Sequence, residues 1–464
     1  MVPRRFMLIT AGFLLATFAV YQFSPWTPLS SIDFNKPKAL LSQTASSISN
    51  WKNPGTHSAQ MQLFFDQVFS ASKPTEYSFP AIAQSCSQAN WPSNPAEERY
   101  LKCGGMAAGL TSIVSQVKVC FKMAIDTGSN MVLPAMPLRD STDLTDFNFF
   151  NSDAYMTYDK WFDLEHMVSG MARACPKMKI IHPDQLDTEI PVKHTWNVEI
   201  GDAPGYHFPD SYFWVGRPFK TFFEEQFAKR KAEYEASVSN EIQAEQEKDG
   251  ITVVTIGAAF LLFRIVDDPT RQELALWNDL SLLIRFLDAP RQVIDRLLGH
   301  INRPFYGVHF RVEKDNIWSP LEVQLKAALE SLDHAWAKFG VPDVQKPLVY
   351  LACGDAEQVK IFETAGKERG WDVVHKWAVA EGNEETLGMI KDLAFDFQGA
   401  IDFGVMVKAD FYIGITGSAF SSTVANARDS TGRYRGSSFD VFDDEGARNH
   451  LNRDGGASSY PCCL

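Results

Sequence analysis

The 464-residue sequence predicts an α/β protein: two Rossmann-like domains facing a cleft, preceded by an N-terminal transmembrane anchor. Three observations predict it. The chain is too long for one compact core, so two domains after an N-terminal extension are expected. Short apolar runs alternate with stretches of helical length and periodicity, as they do in parallel sheets with helices on both faces. Finally, the stretch from Phe6 to Phe23 carries no charge.

That stretch is eighteen residues long, just enough to span a bilayer. Arg4 and Arg5 precede it, which predicts a cytoplasmic tail at residues 1–5, a span at 6–23 and translocation of everything after it, a single-pass type II arrangement. A cleaved signal peptide is the competing reading, but no small-x-small cleavage site clearly follows Tyr21. Residues 24–56 are rich in Ser, Pro, Asn and Thr and read as a solvated stem. An N-terminal domain over 57–302 and a C-terminal one over 303–464 would follow.

Composition narrows the function classes. A net charge of −13 argues against gripping nucleic acid by neutralising phosphates, while leaving room for a local basic site for one small phosphorylated ligand. The seven cysteines lack CxxC or Cys/His spacing, so no metal site is expected. In an oxidising compartment Cys86 and Cys103 could close a short loop; buried free thiols are the alternative.

In the N-terminal domain, Met61 to Ala71 reads as a helix. A first α/β unit begins near Tyr100, with LKCGGMAAGL leading into a helix that Gly128 ends, then the buried strand MVLPAM. Phe219 to Lys248 is charged and amphipathic and reads as one long surface helix ended by Gly250. Ile251 to Ile265 is apolar but too short to span a membrane, and is expected to form core strand and helix. From Pro304 the alternation is regular: strand PFYGVHF, a helix closed by Gly340, strand KPLVYLAC, a helix, strand WDVVH, helix LAFDFQGAIDFGVMVKA, strand DFYIGI and a last helix GSAFSSTVANAR.

Ligands of doubly wound sheets bind beyond the carboxyl ends of the strands, so the residues there carry the candidate chemistry. His309 ends PFYGVHF and Arg311 follows it; a guanidinium at this place is a planar, always-charged fork for phosphate oxygens, or else half of a surface pair with Asp315. After KPLVYLAC comes Asp355, able to accept from a ribose or base edge, or to cap the helix at Ala356. Asp402 sits inside an apolar helix and needs a partner, with Arg311 or the two donors of a guanine edge as the options. Gly417-Ser418-Ala419 opens the last helix, where backbone N–H groups favour an anion and Ser418 equally suits an N-cap.

Taken in order, these segments resemble the fucosyltransferase superfamily that includes protein O-fucosyltransferases and α1,6-fucosyltransferases. CGGM at Cys103 to Met106 with the following helix and MVLPAM, FDLEHMV at Phe162 to Val168, HFRVEKD, VYLACGD and AIDFGVMVKADFYIGITGSAFSS each match a loose motif. Asp402, Asp410 and Ser418 follow one another at steps of eight residues, as the closing motif does. The resemblance implies a GT-B glycosyltransferase that transfers fucose from GDP-fucose, with inversion and no obligatory metal, to a protein or glycan hydroxyl at the Golgi or endoplasmic reticulum membrane. It implies that Arg311 holds the β-phosphate, Asp402 and Asp355 the guanosine, and Ser418 and Ala419 the diphosphate. Gly104 and Gly105 would let the N-domain loop approach the donor, and His309 would be structural or contact the nucleoside. Glu313, the carboxylate nearest the proposed phosphate clamp, is the candidate base by position. Cys353 replaces a usual threonine, and Ala107 and Ala108 stand where an asparagine is common, which bears on the donor's sugar and acceptor side more than on its nucleotide. The alternatives are a same-fold transferase using another nucleotide sugar, or a catalytically silent, membrane-tethered glycan- or protein-binding module. Loss of Arg311 or Ser418 would favour the silent module, and both residues are present.

Overall fold

A computed structural model of the chain describes residues 59–94, 97–140, 146, 148, 151–203, 212–213, 217–237, 250–259, 261–263, 268–312, 319–341, 344–434, 441–442 and 446–453. The expected span at 6–23, the stem at 24–56 and Glu313 lie outside these residues. Among the described residues no helix is long and apolar enough to cross a membrane. From Gly55 onward the chain forms one compact unit built around two sheets.

The first sheet holds β1 (Arg99–Gly104), β2 (Asn130–Val132), β3 (Ile180–Ile181), β4 (Val192–Val198) and β5 (Ile251–Gly257), in the order β3-β2-β1-β5-β4. All its pairings are parallel. The second holds β6 (Phe305–His309), β7 (Leu348–Ala352), β8 (Val373–Val374), β9 (Phe411–Ile415), β10 (Val441–Phe442) and β11 (Asn449–Asn452), in the order β8-β7-β6-β9-β11-β10. Only the edge strand β10 runs antiparallel. Strands β7 and β9, LVYLA and FYIGI, are buried along their whole length. That is why they read as continuous apolar runs without alternation.

Eight helices matter for the site: α1 (Ala59–Val68), α2 (Leu110–Thr127), α3 (Gln272–Leu283), α4 (Asp288–Ile301), α5 (Leu321–Phe339), α6 (Ala356–Glu368), α7 (Phe395–Val407) and α8 (Ala419–Arg428). Every residue of α2 except Ser112 and Asp126 is buried. Its Lys122 is tolerated there because Asp126 and Glu273 take the ammonium at 2.8 and 2.6 Å. Gly128 ends α2 at φ 60°, and a Cβ there would stand 2.2 Å from the Asn90 carbonyl oxygen, so the expected glycine stop is also a close approach of two backbones. One apolar cluster runs from Met61 through α2 and α7 to Val424 and Leu451, joining the two halves in a shared core. A second cluster fills the space between the outer face of the second sheet and α5 and α6.

Two expectations are corrected, and part of a third lies outside the described residues. The disulfides pair Cys86 with Cys175 and Cys103 with Cys120, not Cys86 with Cys103. Cys103 lies in β1 facing α2, and Cys86 lies on a helix beside the end of the helix Leu164–Ala174, so each finds its partner across a packing interface. Among its described residues the segment from Ile251 is strand β5 followed by the short strand Leu262–Phe263, with no helix, because the β-branched run ITVVTI slots between β1 and β4. The charged amphipathic helix is described from Arg217 to Ser237; its expected continuation to Lys248 lies outside the described residues.

The second half is tied together by Arg428, which is buried at the end of α8. Its guanidinium donates to the carbonyls of Met406, Val407 and Ala409 at 3.2, 2.9 and 2.5 Å, to that of Ala447 at 2.7 Å and to the Asn449 side chain at 2.7 Å. Two of these carbonyls belong to the last turn of α7, which needs external donors. Arg428→Met is expected to lower stability by about 3–5 kcal/mol, since several buried acceptors lose their donor together. Denaturant unfolding checks this, and a loss under about 1 kcal/mol would show that the α7 carbonyls find other donors.

Candidate active site

Strand order locates the crevice. From β6 the chain passes to β7 and β8 on one side, then returns to β9 on the other, so the connections diverge between the carboxyl ends of β6 and β9. At such a switch point the loops part and leave room for a ligand. His309, Phe310 and Arg311 leave β6 there, and Thr416, Gly417 and Ser418 leave β9.

The turn into α8 is tight. Ser418 donates its N–H to the Ile415 carbonyl at 3.2 Å and caps α8, its buried hydroxyl accepting the Ser421 N–H at 3.4 Å. The N–H of Ser418 is thus committed to the turn. The donors that face outward along the helix axis are the first-turn amides of Ala419 and Phe420, which have no acceptor within the helix. Gly414 makes the approach possible, because a Cβ on it would come within 2.7 Å of the Ser421 side chain.

Ser421 links both strand ends. Its hydroxyl accepts the Ile415 N–H at 3.0 Å and stands 2.8 Å from Nδ1 of His309, whose ring packs on Phe420 with centroids 4.6 Å apart. Burial pushes the His309 pKa down to about 3, and the Arg311 charge acts in the same direction. The imidazole is therefore neutral near pH 7.

Asp402 is engaged differently from the expected pairing with Arg311. Its Oδ1 accepts the Tyr350 hydroxyl and its Oδ2 the Lys376 ammonium, both at 2.7 Å. The reason is topological: α7 lies across the second sheet, where Tyr350 in β7 and the residue after His375 bracket the carboxylate. Burial and the adjoining Asp402 raise the Tyr350 pKa well above its ordinary value, so the phenol stays protonated and donates. Asp355 caps α6, its Oδ1 accepting the N–H groups of Glu357 and Gln358 at 2.8 and 2.9 Å.

The first sheet has a switch point of its own between β1 and β5, where Gly104 pairs in register with Gly257. A Cβ on Gly104, Gly105 or Gly257 would meet nothing within 4 Å among the described residues. The loop beyond it holds Gly105 at φ 69° and Ala108 at φ 88°, the second a conformation that a side chain resists. After the loop, Leu110 comes within 3.9 Å of the Cβ position of Gly399 in α7. Nearby, Arg139 donates from its Nε and its backbone N–H to the two oxygens of buried Asp396 in α7, at 3.0 and 3.1 Å. Its guanidinium also fills the space beside Gly109, with Cζ 3.0 Å from where a Cβ would be.

The structure therefore gathers His309, Arg311, Ser418 and Ala419 at one crevice and sets Asp402 behind it. Asp355 stands at the next strand end, and Gly104 and Gly105 belong to the other sheet. Ser421, Tyr350, Lys376 and the Arg139–Asp396 pair were not singled out from the sequence. Ser421 had a signal in its spacing from Ser418; the other partners lie far apart in the chain and had none. Among the described residues no group of three or more His, Cys, Asp and Glu side chains is placed to hold a metal ion.

No protein-family profile matches the sequence, and no curated protein matches it. Among solved structures the chain is similar to POFUT1 in complex with GDP, with 13% identity and a TM-score of 0.40 over 74% of this chain and 97% of that one. It is also similar to the fucosyltransferase NodZ from Bradyrhizobium, with 15% identity and a TM-score of 0.38 over 75% of this chain and 95% of that one. For NodZ α-1,6-fucosyltransferase soaked with GDP-fucose the values are 16% and 0.38, over 71% and 92%.

The depressed His309 pKa makes a stability prediction. Below its ordinary value of 6.5 the unfolded chain takes up a proton that the folded chain refuses until about pH 3, so stability falls as pH drops through that window. His309→Gln is expected to lessen the loss between pH 7 and pH 5 by up to about 2 kcal/mol. Denaturant midpoints at the two pH values measure it, and identical pH slopes would mean that His309 titrates normally.

Proposed function

We propose that this chain is a glycosyltransferase that transfers fucose from GDP-fucose, with inversion, to a hydroxyl of a protein or glycan. One observation carries the reading: Arg311 and the first turn of α8 meet at the switch point of the second parallel sheet. A guanidinium and a helix N-terminus together suit a diphosphate, whose charge grows as the glycosyl bond breaks. Arg311 would hold the β-phosphate and the amides of Ala419 and Phe420 the remaining oxygens, with Ser418 and Ser421 fixing the turn that aims them. Neutral His309 keeps Ser421 and β6 in register and adds no charge. The glycine edge of β1 would face the sugar, and Glu313, two residues after Arg311, is assigned as the base that takes the acceptor's proton. The ordered motifs in the sequence support fucose as the sugar. Disulfides suit an oxidising compartment, so a luminal catalytic part tethered through residues 6–23 in the endoplasmic reticulum or Golgi membrane fits the reading.

The engagement of Asp402 by Tyr350 and Lys376 favours one second reading, a transferase of this fold that uses another nucleotide. A carboxylate already receiving two donors is less available to a guanine edge.

Titration calorimetry on the chain from Gly55 onward separates these readings. GDP-fucose is expected to bind with EDTA present, and Arg311→Ala to weaken it at least about tenfold, the loss of one charge-assisted pair. Preference for a UDP-sugar would transfer the proposal to the second reading, and folded protein that binds no nucleotide sugar would leave only the silent module.

A further inference from the structure

The loop over residues 105–109 joins β1 to α2 and carries two left-handed residues, Gly105 at φ 69° and Ala108 at φ 88°. Glycine adopts such a φ freely, but alanine does so only where its surroundings impose it. Both neighbours of Ala108 are held. On one side the buried Gln116 side chain, in the second turn of α2, spans the backbone of Ala107: its Oε1 accepts the N–H at 3.1 Å and its Nε2 donates to the carbonyl at 2.6 Å. This complementary pair fixes which way the amide points. Cys120, four residues on and on the same face of α2, is joined by its disulfide to Cys103 in β1. On the other side the Arg139 guanidinium fills the space beside Gly109, with Cζ 3.0 Å from the Cβ position, while its Nε donates to Asp396 in α7 at 3.0 Å. Neither Gln116 nor Arg139 has a task in the transferase reading.

The bond to Asp396 also fixes where the loop stands. A helix that feeds the next parallel strand runs back along the sheet, so its first turn lies level with the carboxyl ends of the strands. Asp396 is in the first turn of α7, which leads into β9, and Gly109 is the N-cap of α2, which follows β1. Leu110 lies 3.9 Å from the Cβ position of Gly399, three residues beyond Asp396. The carboxyl edges of the two sheets thus come together where α2 and α7 begin, and the loop stands level with the crevice between β6 and β9.

We propose that Gln116 and Arg139 are positioning residues, which hold Ala108 in its left-handed conformation and so set the loop where it meets the sugar of the donor. The inference rests on the transferase reading and deepens it, by assigning what orders the sugar side of the site. The nucleotide side, built on β6 and α8, depends on neither residue. Without either side chain Ala108 relaxes toward a negative φ and the loop moves off the sugar.

Titration calorimetry of the full chain with GDP and with GDP-fucose tests this, the readout being the ratio of the two affinities. In Gln116→Met, which keeps the length of the side chain without its hydrogen bonds, GDP-fucose is expected to weaken about tenfold relative to GDP, with GDP itself bound as in the wild type. Arg139→Met should do the same. Adding Ala108→Gly to Gln116→Met should recover part of the loss, because glycine returns to the left-handed conformation unaided. A merely structural role for Gln116 would not respond to that glycine. An unchanged ratio in either variant that unfolds cooperatively, or an equal loss of GDP and GDP-fucose, would overturn the inference and leave the transferase reading in place. Failure of the folded wild type to bind either ligand would instead overturn that reading, and this inference with it.

Discussion

The Arg428 guanidinium is the constraint on which the rest of the second half depends. Its five hydrogen bonds join the end of α7, the end of α8 and the start of β11, three pieces of chain with no backbone pairing that would hold them so. Helix α7 carries Asp402 and Asp396, and α8 carries Ser421 behind its cap Ser418. The angle between those helices therefore sets where the first turn of α8 points. Burial draws the Arg428 pKa down to about 10, still far above any physiological pH, so the clamp does not titrate. A lysine could not replace it, since three donors on one atom do not reach acceptors spread around a plane.

Helix α7 also decides how the halves meet. Gly404 permits contact with the first half, where a Cβ would stand 2.4 Å from Ile294 in α4 and 2.9 Å from Phe69. Phe397 packs edge-on against Trp161 at 5.1 Å, and Lys408 donates to Gln62 in α1 at 2.7 Å. With Arg139 bonded to both oxygens of Asp396, the first half is held along the whole length of one helix. Such a seam resembles a domain core more than a hinge surface, so the crevice is held in shape before any ligand arrives.

How much of this was legible in the sequence follows from how local each signal is. The strands of the second sheet were readable because burial on both faces leaves apolar runs such as FYIGI, and Gly128 was readable because a left-handed helix stop favours glycine. The position of Arg311 and Ser418 at neighbouring strand ends was readable because strand ends in a parallel sheet converge on one edge. Partners set by the packing of distant elements were not. Nothing near Asp402 announces Tyr350 or Lys376, which lie 52 and 26 residues away. The disulfides show the same limit, since Cys86 and Cys175 are 89 residues apart and meet only when two helices pack. Strand β5 was misjudged at its end because a buried apolar run looks the same in a strand and in a helix until its neighbours are known.

The charge balance of the crevice gives the site its chemical character. Asp402 and Lys376 form a pair with no net charge, and His309 is neutral, so neither opposes the arrival of an anion. The amides of the first turn of α8 add the positive end of a helix to that side of the crevice. The same pair bears on what else the ligand can be. Each Asp402 oxygen has accepted one donor and has lone-pair capacity for a second, so a base presenting paired N–H groups could be accepted only from the side that Tyr350 and Lys376 leave open. A base presenting acceptors would instead have to turn toward Lys376 and draw it from the carboxylate, leaving a partly buried charge short of a partner. A donor-edged base would therefore have to share a carboxylate that Tyr350 and Lys376 already engage. The competition for Asp402 would be settled by which side of the carboxylate the base reaches.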